Sequence, residues 1–146
     1  MTATTDYLEN KIVDWFFRGQ AFIPPATIYV AAYTVAPTDA GGGTEVSGGS
    51  YARVAITSSL TNWAGTQGAG TTTASTGTNG TTSNNITITF PSPTANWGTI
   101  VAIGLFDAAS GGNLLKYGNL TTSKTVNNGD AAPSFVAGAL TDQVDN

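Results

Sequence analysis

Ile100-Val101-Ala102-Ile103-Gly104-Leu105-Phe106 is the stretch that decides the fold. It carries no polar side chain, three of its residues are β-branched, and turn formers bound it on both sides. A short apolar run of this kind predicts a strand buried at the centre of a sheet. Asp107-Ala108-Ala109-Ser110-Gly111-Gly112 follows as a turn, so Asn113 to Tyr117 is expected to pair back as a hairpin. Leu120 to Val126 reads as a further strand, ended by the Asn127-Asn128-Gly129-Asp130 turn. Ser134 to Val144 offers a last strand, broken by Gly138.

Upstream, the period of two recurs. From Ala26 to Thr34, Ile28, Val30 and Ala32 share one face while Tyr29 and Tyr33 occupy the other. Tyr51 to Ser58 places Val54 and Ile56 together, and Ile86 to Phe90 does the same for Ile86, Ile88 and Phe90 before Pro91 ends it. About eight strands result. The expected fold is all-β: a two-sheet β-sandwich, jelly-roll-like or immunoglobulin-like in order, in a single domain over residues 1–146. Its strands fall within 26–60 and 86–144.

One segment reads as helix. In residues 6–18, Leu8, Ile12, Trp15 and Phe16 fall on one side, widened by Val13 and Phe17, with Asn10, Lys11, Asp14 and Arg18 opposite. Asp6 is the expected cap and Gly19 the stop. Such an amphipathic N-terminal helix is expected to cover one open end or face of the sheet, to dock its Trp15, Phe16 and Phe17 face on a partner, or both. Residues 64–85 contain nothing larger than Gln67 and no charge. They read as a flexible Thr/Gly-rich loop, because they cannot bury enough apolar area to fold alone.

Composition narrows the function. The chain has 146 residues, with 5 Lys+Arg, 9 Asp+Glu, no His, no Cys and a net charge of −4. Thiol nucleophiles, disulfides, imidazole bases and imidazole or thiolate metal sites are thereby excluded. Five basic residues are too few for a nucleic-acid backbone. No apolar run is long enough to span a membrane as a helix, and the polar start, Met1 to Asp6, carries no export signal. Charged residues make up 10%, against roughly 25% in ordinary soluble domains. None lies between Arg53 and Asp107. A neutral surface rich in Thr (25 residues) and Gly (18) suits a protein packed into an assembly.

The residues offer little chemistry. Asp39 and Glu45 flank a glycine loop but match no calcium-loop pattern, so no metal is expected, and no cofactor. The glycine runs lack the lysine and following helix of a phosphate loop. Arg53, alone in an uncharged strand beside Tyr51, is expected to stack on an aromatic ring or to pair with Glu45, locking the loop to the sheet. Trp63 is a candidate partner contact. Trp63 and Trp97 are also candidates for stacking on sugar rings, although Trp97 reads more naturally as a core-edge anchor.

Five segments carry a resemblance. They are Glu9-Asn10-Lys11-Ile12-Val13-Asp14 with Phe17-Arg18-Gly19, Ala26-Thr27-Ile28-Tyr29-Val30-Ala31, and Gly42-Gly43-Thr44-Glu45-Val46-Ser47-Gly48-Gly49-Ser50-Tyr51-Ala52-Arg53. Asn96-Trp97-Gly98-Thr99 with Gly104-Leu105-Phe106-Asp107, and Lys124-Thr125-Val126-Asn127, complete the set. Together they resemble small structural proteins of tailed bacteriophages, known as tail fibre or as capsid decoration or cement proteins. The resemblance implies a non-enzymatic virion component made in the host cytoplasm. The leading expectation is a decoration protein bound to the head shell, with the major capsid protein and copies of itself as partners and neither nucleic acid nor membrane. The alternative is a tail or fibre component contacting the host surface. A small glycoside hydrolase or lyase, which needs two facing carboxylates, is disfavoured by the sparse acids.

Overall fold

The computed structural model describes residues 3–144. Met1 and Thr2, at the polar start, and Asp145 and Asn146, at the C-terminal end, lie outside the described residues. The described strands are β1 (Ala3–Thr4), β2 (Thr27–Val35), β3 (Thr44–Glu45), β4 (Val54–Thr57), β5 (Thr81–Ser83), β6 (Ile88–Thr89), β7 (Gly98–Phe106), β8 (Leu114–Val126), β9 (Ser134–Phe135) and β10 (Thr141–Gln143), with one helix, α1 (Asp6–Arg18).

The apolar run Ile100–Phe106 lies in β7, at the centre of a six-stranded antiparallel sheet ordered β1-β8-β7-β2-β3, in which β4 also pairs with β2. A second layer is made of two ribbons, β5 with β10 and β6 with β9. The chain is therefore an all-β sandwich with one N-terminal helix. The period-two faces of β2 sort as the sequence requires, and an irregularity between Ile100 and Ala102 lets Ile100 share a face with Ile103 and Leu105. Val30, Ala32, Ile56, Ile100, Ile103 and Leu105 point to the layer interface and meet Ile88, Phe90, Trp97 and Leu140. Ala31, Tyr33, Ala102 and Phe106 form a smaller cluster of their own. Each large apolar side chain withdrawn from water contributes about 1.5–3 kcal/mol, so the larger cluster dominates stability.

β1 and β3 lie where no strand is expected, β4 and β6 are shorter than the expected Tyr51–Ser58 and Ile86–Phe90, and three further features differ. The two strands expected at Asn113–Tyr117 and Leu120–Val126 are one, because Gly118 and Asn119 pair with Ile103 and Ala102 and the long β7 carries the ladder through. The helix is capped by Thr5, not Asp6: Thr5 is extended (φ −91°, ψ 157°) and its side chain accepts from the Leu8 N–H. The Thr5 hydroxyl also donates to the Leu114 carbonyl at 2.6 Å, which fixes the helix start beside β8. Finally, the 64–85 segment contains β5, which pairs with β10, and its two ends are tied to each other: Ala64 N–H donates to the Ser83 carbonyl, and Trp63 bridges to Asn84.

Asn84 explains that attachment. It is fully buried, and its side-chain amide donates to the carbonyls of Ile86 and Val136 while its oxygen accepts from Leu140 N–H. A buried amide with these bonds made is inexpensive, and left without them it would cost several times more. One asparagine thus joins β5, the start of β6 and the β9–β10 connection.

Candidate functional site: an exposed aromatic helix and a buried arginine buckle

The Gly42–Arg53 run builds the most elaborate polar contact in the molecule. β2 is long, and its outer edge is shared by β4 (against Thr27–Val30) and β3 (against Tyr33 and Val35). Between them the Ala32 N–H faces a gap in the ladder. The Tyr51 hydroxyl fills it, accepting from Ala32 N–H at 2.9 Å and donating to Glu45 Oε1 at 2.9 Å. Gly48, Gly49 and Ser50 all adopt positive φ (72°, 56° and 64°), turning the chain so that Tyr51 can reach back. At Gly49 a Cβ would also stand 3.0 Å from the Trp97 indole nitrogen, which donates to the Gly49 carbonyl.

Arg53 completes the buckle. Its Nε and Nη2 donate to the two oxygens of Glu45 at 2.9 and 2.8 Å, a bidentate pair. Nη1 donates to the carbonyls of Ala108 and Gly111, each at 2.8 Å. The guanidinium carbon lies 3.4 Å from the centre of the Phe106 ring. Only 7% of the side chain is exposed. Desolvation by burial acts to lower the Arg53 pKa, but the bond and charge of Glu45 outweigh it and hold the group above its ordinary value. Burial drives the Tyr51 phenol well above its usual value of 10.0, with the Ala32 bond working the other way. Burial likewise raises Tyr33, with the Glu45 charge adding to it. Asp107 accepts from the backbone and side-chain nitrogens of Asn113 at 2.7 Å, closing the turn that Arg53 grips. The Arg53 guanidinium, the Glu45 carboxylate and the Tyr51 hydroxyl are thus all engaged inside the fold.

Helix α1 is the opposite. No residue of it is buried. Leu8 and Tyr7 face the body of the protein, but Ile12 and Val13 are nearly half exposed, and Trp15, Phe16 and Phe17 are 54%, 69% and 76% exposed. Ile23, just beyond the helix, is 85% exposed. The helix packs on β8 through its first turns, with Leu8 turned inward, while the apolar side of its second half faces solvent. The rings pack on each other, Phe16 against Phe17 edge-on at 4.9 Å and Trp15 tilted to Phe16 at 6.2 Å. Three rings of roughly 150–250 Å² each, more than half exposed, make an apolar patch of the size that marks interaction surfaces.

The remaining candidates lie elsewhere. Trp63 does not join the exposed rings. It is half buried against the larger core cluster, and its indole N–H is buried with no partner among the described residues. Trp97 is 5% exposed and packs edge-on to Tyr51 and Phe90, so it presents no open face for a sugar. Asp39 accepts from the Ala40 N–H and stands apart from the Glu45–Arg53 pair. Among the described residues no three His, Cys, Asp or Glu side chains cluster as metal ligands do, and no helix is long and apolar enough to cross a membrane.

Sequence reasoning missed two features. Asn84 sits in a featureless Thr/Asn run, where nothing marks one amide as the buried one. Lys116 is 8% exposed and pairs with Asp142 at 2.7 Å. A lone lysine in the apolar run Leu114-Leu115-Lys116-Tyr117 is a legible signal, but its partner lies in another strand.

A search of the curated proteins finds no match. A family model described as podophage GP4 fiber I protein gp80 matches residues 3–143, nearly the whole chain. With an all-β sandwich and an aromatic helix turned outward, this chain belongs to the Gp80 family and is a structural protein of a bacteriophage virion.

Proposed function

We propose that the protein is a subunit of a virion fibre, held in place through helix α1. The observation that carries this reading is the exposure of Trp15, Phe16 and Phe17 on a helix that buries no residue. A surface helix normally turns its apolar stripe to its own core. Here the second half of that stripe is turned away, and the polar side of the helix carries the Asp14–Arg18 ion pair, 2.7 Å apart. The partner it suits is another virion protein or a second copy of the chain, bound mainly by aromatic anchors in a desolvated patch. The family's description as a fiber protein favours a fibre over the head-shell decoration that the sequence suggested first. The protein's role in this reading is mechanical, and it needs no reaction.

Phe16→Ser combined with Phe17→Ser tests the surface. Purified virions of that variant should contain at most a tenth of the normal amount of the protein, while the isolated variant keeps its circular dichroism spectrum. Normal incorporation overturns the helix as the attachment surface. Immunogold labelling of intact virions tests the placement separately: label on fibres is expected, and label spread over the head shell returns the decoration reading.

A further inference from the structure

Lys116 and Asp142 lie in different layers of the sandwich, on β8 of the main sheet and on β10 of the second layer. Their side chains are 10% and 12% exposed. Lys116 Nζ contacts both carboxylate oxygens, Oδ1 at 2.8 Å and Oδ2 at 2.7 Å, a bidentate pair that brings the amine and the carboxyl group into contact. The pair closes one end of a cavity of about 280 Å³ whose wall is almost wholly apolar, with Leu8, Phe22, Ile28, Leu105 and Leu115 among its lining. An ion pair in such a place loses hydration that its Coulomb attraction only partly returns. A neutral amide between the same atoms avoids that cost.

We propose that Lys116 and Asp142 condense into an intramolecular isopeptide bond. In the step, a proton passes along the contact from the ammonium to the carboxylate, giving an amine and a carboxylic acid. The Nζ lone pair attacks the carboxyl carbon of Asp142, the C–N bond forms, and the C–O bond to one oxygen breaks. That oxygen leaves as water, taking one proton from the nitrogen. Nothing is oxidised or reduced and no further reactant is needed. Holding amine and carboxyl in contact within the fold makes the reaction intramolecular, the arrangement in which orientation lowers a barrier most. Trp63, whose buried indole N–H lacks a protein partner, lines the same cavity and is the candidate donor to the oxygen retained as the amide carbonyl. The product ties the second layer to the main sheet covalently, which suits a protein that must withstand a harsh exterior without cysteine.

Mass spectrometry of the full, denatured chain tests this. The expected mass is lower than that of the sequence by one water, and digestion with trypsin should leave the Lys116 bond uncut and yield a branched peptide joined to Asp142. A full sequence mass with free Lys116 and Asp142 peptides overturns the proposal. Lys116→Arg keeps a cation beside Asp142 but removes the amine, so its mass must return to the full value; a deficit that persists in this variant also overturns the assignment.

Discussion

The Arg53 buckle and helix α1 are built from the same ingredients, aromatic rings with a charged pair beside them, and they put them to opposite ends. In the buckle, Arg53 is 7% exposed, stacks on Phe106 and has its charge matched bidentately by Glu45. On the helix, Arg18 is 69% exposed, touches only Asp14, and the rings of Trp15, Phe16 and Phe17 find only each other. The difference is whether the long-range part of the fold reaches the residues. Strand β2 brings Glu45 and Tyr51 to one place, and the β7–β8 turn delivers carbonyls to Arg53. Among the described residues, none covers the apolar side of the second half of α1. Aromatic and charged residues are thus stability when the chain closes over them and an interface when it does not.

Removing the buckle's centre should show the contrast most strongly. Arg53→Ala leaves Glu45 partly buried without its cation, uncovers Phe106 and frees two carbonyls of the 107–112 turn. Breaking a buried pair from one side costs about 3–5 kcal/mol; allowing for the partial exposure of Glu45, a loss of about 3 kcal/mol is expected in denaturant titration. Arg53→Lys should recover little of it, since an ammonium cannot span both oxygens and both carbonyls. A loss below about 1 kcal/mol would put the buckle on a par with surface pairs.

A smaller effect is expected at Gly104, in the sheet beside the buckle. A Cβ there would stand 2.8 Å from Leu114 Cδ1 and from Tyr33 Cε2, with Phe106 next. Gly104→Ala should cost about 1–3 kcal/mol through overpacking. A neutral result would show that the cluster of Tyr33, Ala31, Ala102 and Phe106 is loosely filled.

The buckle should also make the protein sensitive to alkali. Tyr51 and Tyr33 have folded pKa values above the ordinary 10.0. Above pH 10 the unfolded chain releases these phenolic protons and the folded one keeps them. Stability therefore falls as pH rises from about 10, where the unfolded phenols begin to titrate. Tyr51→Phe should flatten that fall, at some loss of stability at neutral pH because the Ala32 N–H loses its acceptor. A pH profile unchanged by Tyr51→Phe would assign the alkaline fall to other groups.

The helix should be nearly silent in the same assays. Phe16→Ser with Phe17→Ser, and separately Arg18→Ala, should each shift the unfolding free energy by no more than about 0.5 kcal/mol, the usual range for exposed positions. A large loss from the serine pair would mean that the rings support the fold itself.

Much of this was open to sequence reading. Period-two alternation sets Ile28, Val30 and Ala32 on one face and Tyr29 and Tyr33 on the other, since successive side chains on a strand must point oppositely. The apolar run Ile100–Phe106 could only be central, and the 3.6-residue stripe with Gly19 behind it could only be a helix ending at Arg18. Local chemistry also made Arg53 conspicuous, because an isolated cation in an uncharged stretch needs a partner, and Glu45 and an aromatic ring were the ones within reach. Tertiary structure decided everything that depended on separation along the chain. That Lys116 meets Asp142, that Asn84 rather than Asn85 is the buried amide, and that α1 turns its rings outward all follow from how distant strands pair. A stripe records only that one side of a helix is apolar. Whether the rest of the chain closes over that side is fixed by sheet order and connection length, which no local pattern of residues encodes.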